Sequence, residues 1–259
     1  MFHVVVLELA RPVEAEEQAL GAILGWAQYD VRMRLSGVLP RLVFESPESA
    51  EAERVAQAFA ERGHPVKVIP ASSVVPLERL VAMHRFSFEG DVVFASDRKP
   101  AQRAQDLLAI VHFETRASVV RTGKEKVLRY SGRAPHTEEV ETFRHEGLTE
   151  DALMLVWRDA SRWLLRAGNG RYLALGPDLK TTQRENFRTT VDKLRALSPR
   201  AIYDDRFVRN PINAQGVLVA RGNEQANSHG DSRTDLALQA LASMYLGRDG
   251  GPYRSMSRP

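Results

Sequence analysis

The chain of 259 residues contains no cysteine, which excludes disulfides, thiolate metal sites and cysteine nucleophiles together. Long apolar runs are missing too: no stretch approaches the ~18 residues of a membrane-spanning helix. One-sided charge is also absent. Lys and Arg total 36 against 33 Asp and Glu, a net charge of +3, and the basic residues alternate with acidic ones. A dedicated nucleic-acid protein would cluster its cations on one face. The first residues, MFHVVVLELARP, lack a basic start and a small-residue cleavage site, so they read as a strand and not as a signal peptide. Together these features point to a cytoplasmic globular protein.

Signatures of chemistry are equally sparse. The seven histidines form no His-x-x-x-His pair. His136 and His145 fall in a polar stretch that reads as a short helix. There they would stand about two and a half turns apart, ~13.5 Å, too far to share a metal. AGNGRY is a turn without the Lys-Ser/Thr of a phosphate loop, and no serine sits in a nucleophile-elbow context. Asp204 and Asp205 are the best acidic pair, but neighbours on a strand point to opposite faces. No catalytic residue, metal ligand or cofactor site is assigned from the sequence. A site assembled from distant residues stays open.

What is present is well-marked local structure, and it specifies an α+β fold. Val4–Leu9 is a β-branched run closed by Arg11-Pro12. From Val13 the apolar period becomes helical through Leu20, Ile23 and Leu24, with Glu14, Glu16 and Glu17 in the first turn. A second helix is expected around Val31, Leu35 and Val38, stopped by Pro40. RLVFE is a strand, and Ser46-Pro47-Glu48 opens a helix with Ala52, Val55, Ala56 and Phe59 on one face. Gly63 closes that helix, and PVKVI is the last strand of the unit. The order within residues 1–70 is therefore βααβαβ.

That order, carried by ALGAILGWAQYDVRMRLSGVLPRLVFES and AERVAQAFAERGHPVKVI, resembles the C-terminal domain of the bacterial ribosomal stalk protein. It is similar as well to the adaptor that delivers N-degron substrates to the Clp protease. The resemblance implies a fold used elsewhere for protein binding. Trp26, Tyr29, Arg32 and Arg34 stand where the stalk family carries Gly and Lys, and Pro40 matches its final proline. They are the candidate partner-binding residues. The acidic loop and the histidine of the adaptor's degron pocket have no counterparts at matching positions, so N-degron binding is not implied.

Pro70 to Leu80, with two prolines and two serines, marks a boundary, and residues 71–82 read as a linker. Residues 83–208 are strand-rich. MHRFSFEG and DVVFAS form a hairpin, RKPAQRAQ a turn of helix, LLAIVHFETRASVV and EKVLRY two strands, and HTEEVETFRHE the short helix. ALMLVWR and SRWLLRAG turn at Asp159-Ala160, RYLAL follows to make six or seven strands in all, and an amphipathic helix from about Thr182 to Leu197 has Phe187, Val191 and Leu194 as its apolar stripe. In order alone this is similar to a pleckstrin-homology-like barrel, and an α+β sandwich fits equally. Such barrels bind proteins or anionic head groups, which makes Arg98, Lys99, Arg103, Arg121, Lys124 and Lys126 candidate anion-binding residues. Residues 209–259 read as a flexible tail with one helix at about 234–246. Leu238, Leu241 and Tyr245 share a face that docks on the body or on a partner.

Three functions follow as expectations: a non-enzymatic protein-binding adaptor or scaffold, a regulator holding an anionic small molecule or nucleotide, or an enzyme with a non-local site.

Overall fold

A β-branched run buried on both sides organises the first unit. Val4, Val5 and Val6 of strand β1 (Phe2–Val6) are at most 1% exposed. β1 is central in a sheet of order β2-β1-β3, antiparallel to β2 (Arg41–Ser46) and β3 (Val66–Pro70), with Val4 opposite both Phe44 and Val68. Alternation sends Val4 and Val6 toward helices α1 (Val13–Leu24), α2 (Gln28–Leu35) and α3 (Ser49–Glu61). Val5 and Leu7 go to the opposite face. The order βααβαβ is observed. Helix α3 starts three residues after Ser46, whose hydroxyl accepts from the Glu48 N–H and donates to Glu51. Gly63 follows α3 with φ +83°, the left-handed conformation a helix stop requires. The structure, a computed structural model, describes the backbone of residues 1–37, 39–97, 99–131, 134–209 and 232–248. It describes their side chains except for 116–148, 209, 232–233 and 248. Val38 and Arg98 lie outside the described residues.

The segment read as a linker is integrated into the body. It forms two single 3-10 turns, Ala71–Ser73 and Leu77–Arg79, and then strand β4 (Val81–Ala82). Leu77 is buried, and β4 pairs in parallel with β10 (Arg162–Arg166). Two sheets follow. Strands β5 (Ser87–Glu89), β6 (Val92–Ser96) and β7 (Lys99–Arg103) form an antiparallel meander. The larger sheet runs β11-β8-β9-β10-β4, where β8 is Leu107–Ser131, β9 is Ala134–Trp157 and β11 is Ile202–Asp204. Helix α4 (Gln183–Leu197) closes the core between the sheets, with Phe187, Val191 and Leu194 buried as its spacing predicts. Thr182 caps it in a full capping box with Glu185.

Four local expectations are corrected. RKPAQRAQ is strand β7 followed by a 3-10 turn, because residues 99–103 complete the meander beside β6. RYLAL is a 3-10 segment, Tyr172–Asp178, that buries Tyr172 and Leu175. The two strands expected at LLAIVHFETRASVV and EKVLRY are one continuous strand, β8. HTEEVETFRHE is part of β9 and not a helix: His136 is paired with Arg129, and His145 with Val120. Thr137, Val140, Thr142 and Phe143 suit a strand, and the facing strand decided the matter.

Beyond the root of the larger sheet, β8 and β9 continue as a two-stranded ribbon. From Arg116 opposite Thr149 to Ser131 opposite Ala134, no third strand joins them among the described residues. At about 3.3 Å per residue the ribbon projects roughly 50 Å.

After the single turn α5 (Arg206–Arg209), the C-terminal helix α6 (Ser232–Arg248) lies between the two units. Leu236 and Ala240 pack against Val5, Leu7 and Ile69 on the outer face of the first sheet. Ala237, Leu238, Leu241, Ala242 and Tyr245 pack against Val111, Phe113, Met154 and Val156 of the larger sheet. No helix among the described residues is long and apolar enough to cross a membrane.

Candidate partner-binding surface

The corner between α1 and α2 is built on two glycines. Gly25 ends α1 in the left-handed region at φ +69°. At Gly21 a Cβ would stand 2.7 Å from the Trp26 carbonyl oxygen, so only glycine lets the chain fold back this closely. The Trp26 N–H then donates to the Gly21 carbonyl at 3.0 Å. Helix α2 buries Val31 and Leu35 and turns its opposite side outward, leaving Tyr29 66% and Met33 55% exposed. One turn apart, these two share a face. Trp26 is half-buried against the first core, and the Arg34 guanidinium lies over its ring, 4.3 Å from the centroid.

The four candidates of the first unit thus part company. Tyr29 is free surface. Trp26 is partly core and partly a platform for Arg34. Arg32 is committed to the fold: its Nε and Nη2 donate to the two oxygens of Glu17 at 2.5 and 2.8 Å. The hydrogen bond from Arg32 and its charge hold the Glu17 carboxyl below the usual range. Arg34 has no such acid among the described residues, and its Nε is buried without an acceptor there. Met33 was missed in the sequence. The available signal was a large apolar residue one turn from Tyr29 and off the Val31–Leu35 stripe.

Leu238, Leu241 and Tyr245 find their partner within the chain. All three are at most 2% exposed, and the Tyr245 hydroxyl donates to Asp204. They are not available as a docking face, because the outer surfaces of both sheets need that cover. The anion candidates are spread over two sheets. Lys99 and Arg103 are exposed at the two ends of β7. Arg121, Lys124 and Lys126 stand on the ribbon, where Lys124 and Lys126 occupy register positions opposite Glu141 and Glu139. Acidic residues at both positions suit the ribbon's own pairing.

Two polar clusters, one buried and one half-buried, were not foreseen. Glu16, fully buried on α1, accepts from Arg62 at 2.5 Å and Arg11 at 3.2 Å. His64 Nδ1 accepts from the Ala10 N–H, leaving Nε2 facing Glu16 at 3.6 Å. The hydrogen bond from Arg62 outweighs burial and lowers the Glu16 carboxyl, while burial lowers the His64 imidazole. The second cluster joins β8, β9 and β11. His112 is bonded through Nδ1 to the Tyr203 hydroxyl at 2.9 Å and through Nε2 to Asp151 at 3.1 Å. A carboxylate only accepts, so Nε2 carries a proton, and in the neutral ring the phenol then donates to Nδ1. Phe187 and Tyr203 lie against the imidazole. Both ring nitrogens are engaged in tying three strands together. Among the described residues no group of His, Asp and Glu could hold a metal ion.

No protein-family model matches the chain, and no curated protein and no solved structure matches it either.

Proposed function

We propose that the chain is a protein-binding adaptor that captures its partner on the exposed face of α2. The observation that carries this reading is the pair Tyr29 and Met33, two large apolar side chains more than half exposed on one helix face beside Trp26. Scattered apolar residues are normal on a surface, but a contiguous apolar face bordered by charge is the mark of an interaction site. Aromatic residues, Met and Arg are also the types enriched where proteins meet. The resemblance of the first unit to folds that bind proteins points the same way.

The test is affinity capture from an extract of the chain's own cells, with the full-length protein as bait beside a Tyr29→Ser/Met33→Ser variant. A protein retained by the native chain and lost with the variant is the expected result. Capture of nothing, or equal capture by both baits, would overturn the proposal.

A further inference from the structure

We infer that the segment docking on α2 is acidic, with a carboxylate that takes the Arg34 guanidinium and a neighbouring bulky apolar residue that covers Tyr29 and Met33. This rests on the binding face proposed above and names the chemistry of its partner.

The argument begins with two arginines on one helix. Arg32 is neutralised by Glu17 through two hydrogen bonds. Arg34, in the same last turn, has no carboxylate partner among the described residues, and its buried Nε lacks an acceptor. Its own helix offers an acid at the right spacing. Asp30 lies four residues earlier, the favoured orientation for a helical ion pair. The guanidinium nevertheless turns onto the Trp26 ring.

Stacking on an indole fixes the plane of the fork and reduces what ordering it on binding would cost. The terminal nitrogens of a guanidinium held this way suit bidentate pairing with a carboxylate. An acidic residue on the partner meets a cation that the described residues leave uncompensated, and the adjoining apolar face supplies burial. The one acid on α2, Asp30, lies a turn away and selects against a partner segment with two adjacent acids.

Peptides are selected from a random linear library displayed on phage, with the full-length chain as bait. The winners are measured by fluorescence anisotropy against the native chain, Arg34→Gln, Arg34→Lys and Tyr29→Ser/Met33→Ser, with circular dichroism to verify each fold. The expected winners carry Asp or Glu next to Leu, Phe or Trp. They weaken about tenfold or more with Arg34→Gln, less with Arg34→Lys, and weaken in added salt. Winners that need Tyr29 and Met33 but lack acids and bind Arg34→Gln normally would overturn the inference and leave the binding face standing. Winners indifferent to Tyr29 and Met33, or none at all, would overturn both. A dimer of the free chain that Tyr29→Ser/Met33→Ser dissolves would make the occupant a second copy and overturn the acidic segment.

Discussion

The Tyr245 hydroxyl of the C-terminal helix donates to the buried Asp204 carboxylate at the end of β11. The same carboxylate receives Arg206 Nε at 2.8 and 2.9 Å from its two oxygens, and Arg206 Nη1 reaches the Leu39 carbonyl at 3.1 Å. One carboxylate therefore connects the first unit, the larger sheet and α6. Tyr245→Phe is expected to cost about 1.5–3 kcal/mol, because a buried ionised acceptor loses a donor. Asp204→Ala is expected to cost about 3–5 kcal/mol, because it leaves the Arg206 charge without its counterpart. Urea unfolding of the three proteins gives both values directly. A Tyr245→Phe midpoint equal to the native one would rule out this role for the bond.

Helix α6 covers an apolar face on each side, so its loss exposes two surfaces at once. Leu241→Ala, at a fully buried position, is expected to lower stability by about 2–5 kcal/mol through lost transfer energy and the cavity left behind. A chain ending before Ser232 is expected to bind a hydrophobic dye strongly and to aggregate. Dye fluorescence and light scattering at equal concentrations check this.

Acid acts on the first unit in two stages. Burial depresses the His64 imidazole below its ordinary value of 6.5, so the unfolded chain binds that proton more readily. The His64 contribution is complete above about pH 6.5 and is lost as pH falls toward the folded value. The Glu16 carboxyl is depressed below 4.5, so its contribution is complete above that pH and is lost further down, as the carboxyl becomes protonated. Thermal unfolding across pH 7 to 3 is expected to show both steps. His64→Asn keeps an acceptor for the Ala10 N–H without a titrating ring, and it is expected to remove the upper step alone. An unchanged upper step would exclude His64 as its source.

The ribbon is expected to be separable from the body. The cores described here use β8 up to Phe113 and β9 from Ala152. Replacing residues 117–148 by Asn-Gly, a two-residue turn that keeps Arg116 opposite Thr149, is expected to leave stability within about 1 kcal/mol. That corresponds to a shift in melting temperature of roughly 2–4 °C for a chain of this size. A cooperative transition lost altogether would show that the ribbon holds the body together.

Local signals carried the first unit and α4. The run Val4–Val6, the Ala52–Phe59 stripe, Gly63 and the Thr182 start each act within a few residues, where capping, periodicity and φ preference decide. The ribbon was misread because helical and strand patterns overlap in HTEEVETFRHE until a facing strand is present. Leu77 and β4 were hidden for the same reason: two residues of strand have no period to detect, and β10, some eighty residues later, supplies their pairing. In the candidate site, Trp26 and Tyr29 could be singled out by type. Their exposure, and the different fates of Arg32 and Arg34, could not.

The sequence by itself determined the α+β class, the βααβαβ order of the first unit and the amphipathic helices, because those follow from neighbours along the chain. Tertiary structure alone decided which charges are neutralised and which faces remain bare. Glu17 reaches Arg32 from another helix, α6 returns to cover two sheets, and Arg34 is left stacked on Trp26 with no acid of its own among the described residues. Those outcomes depend on distances between segments remote in sequence, and burial strengthens each pairing or makes its absence costly. For that reason, the folded chain and not its local motifs defines the proposed binding face.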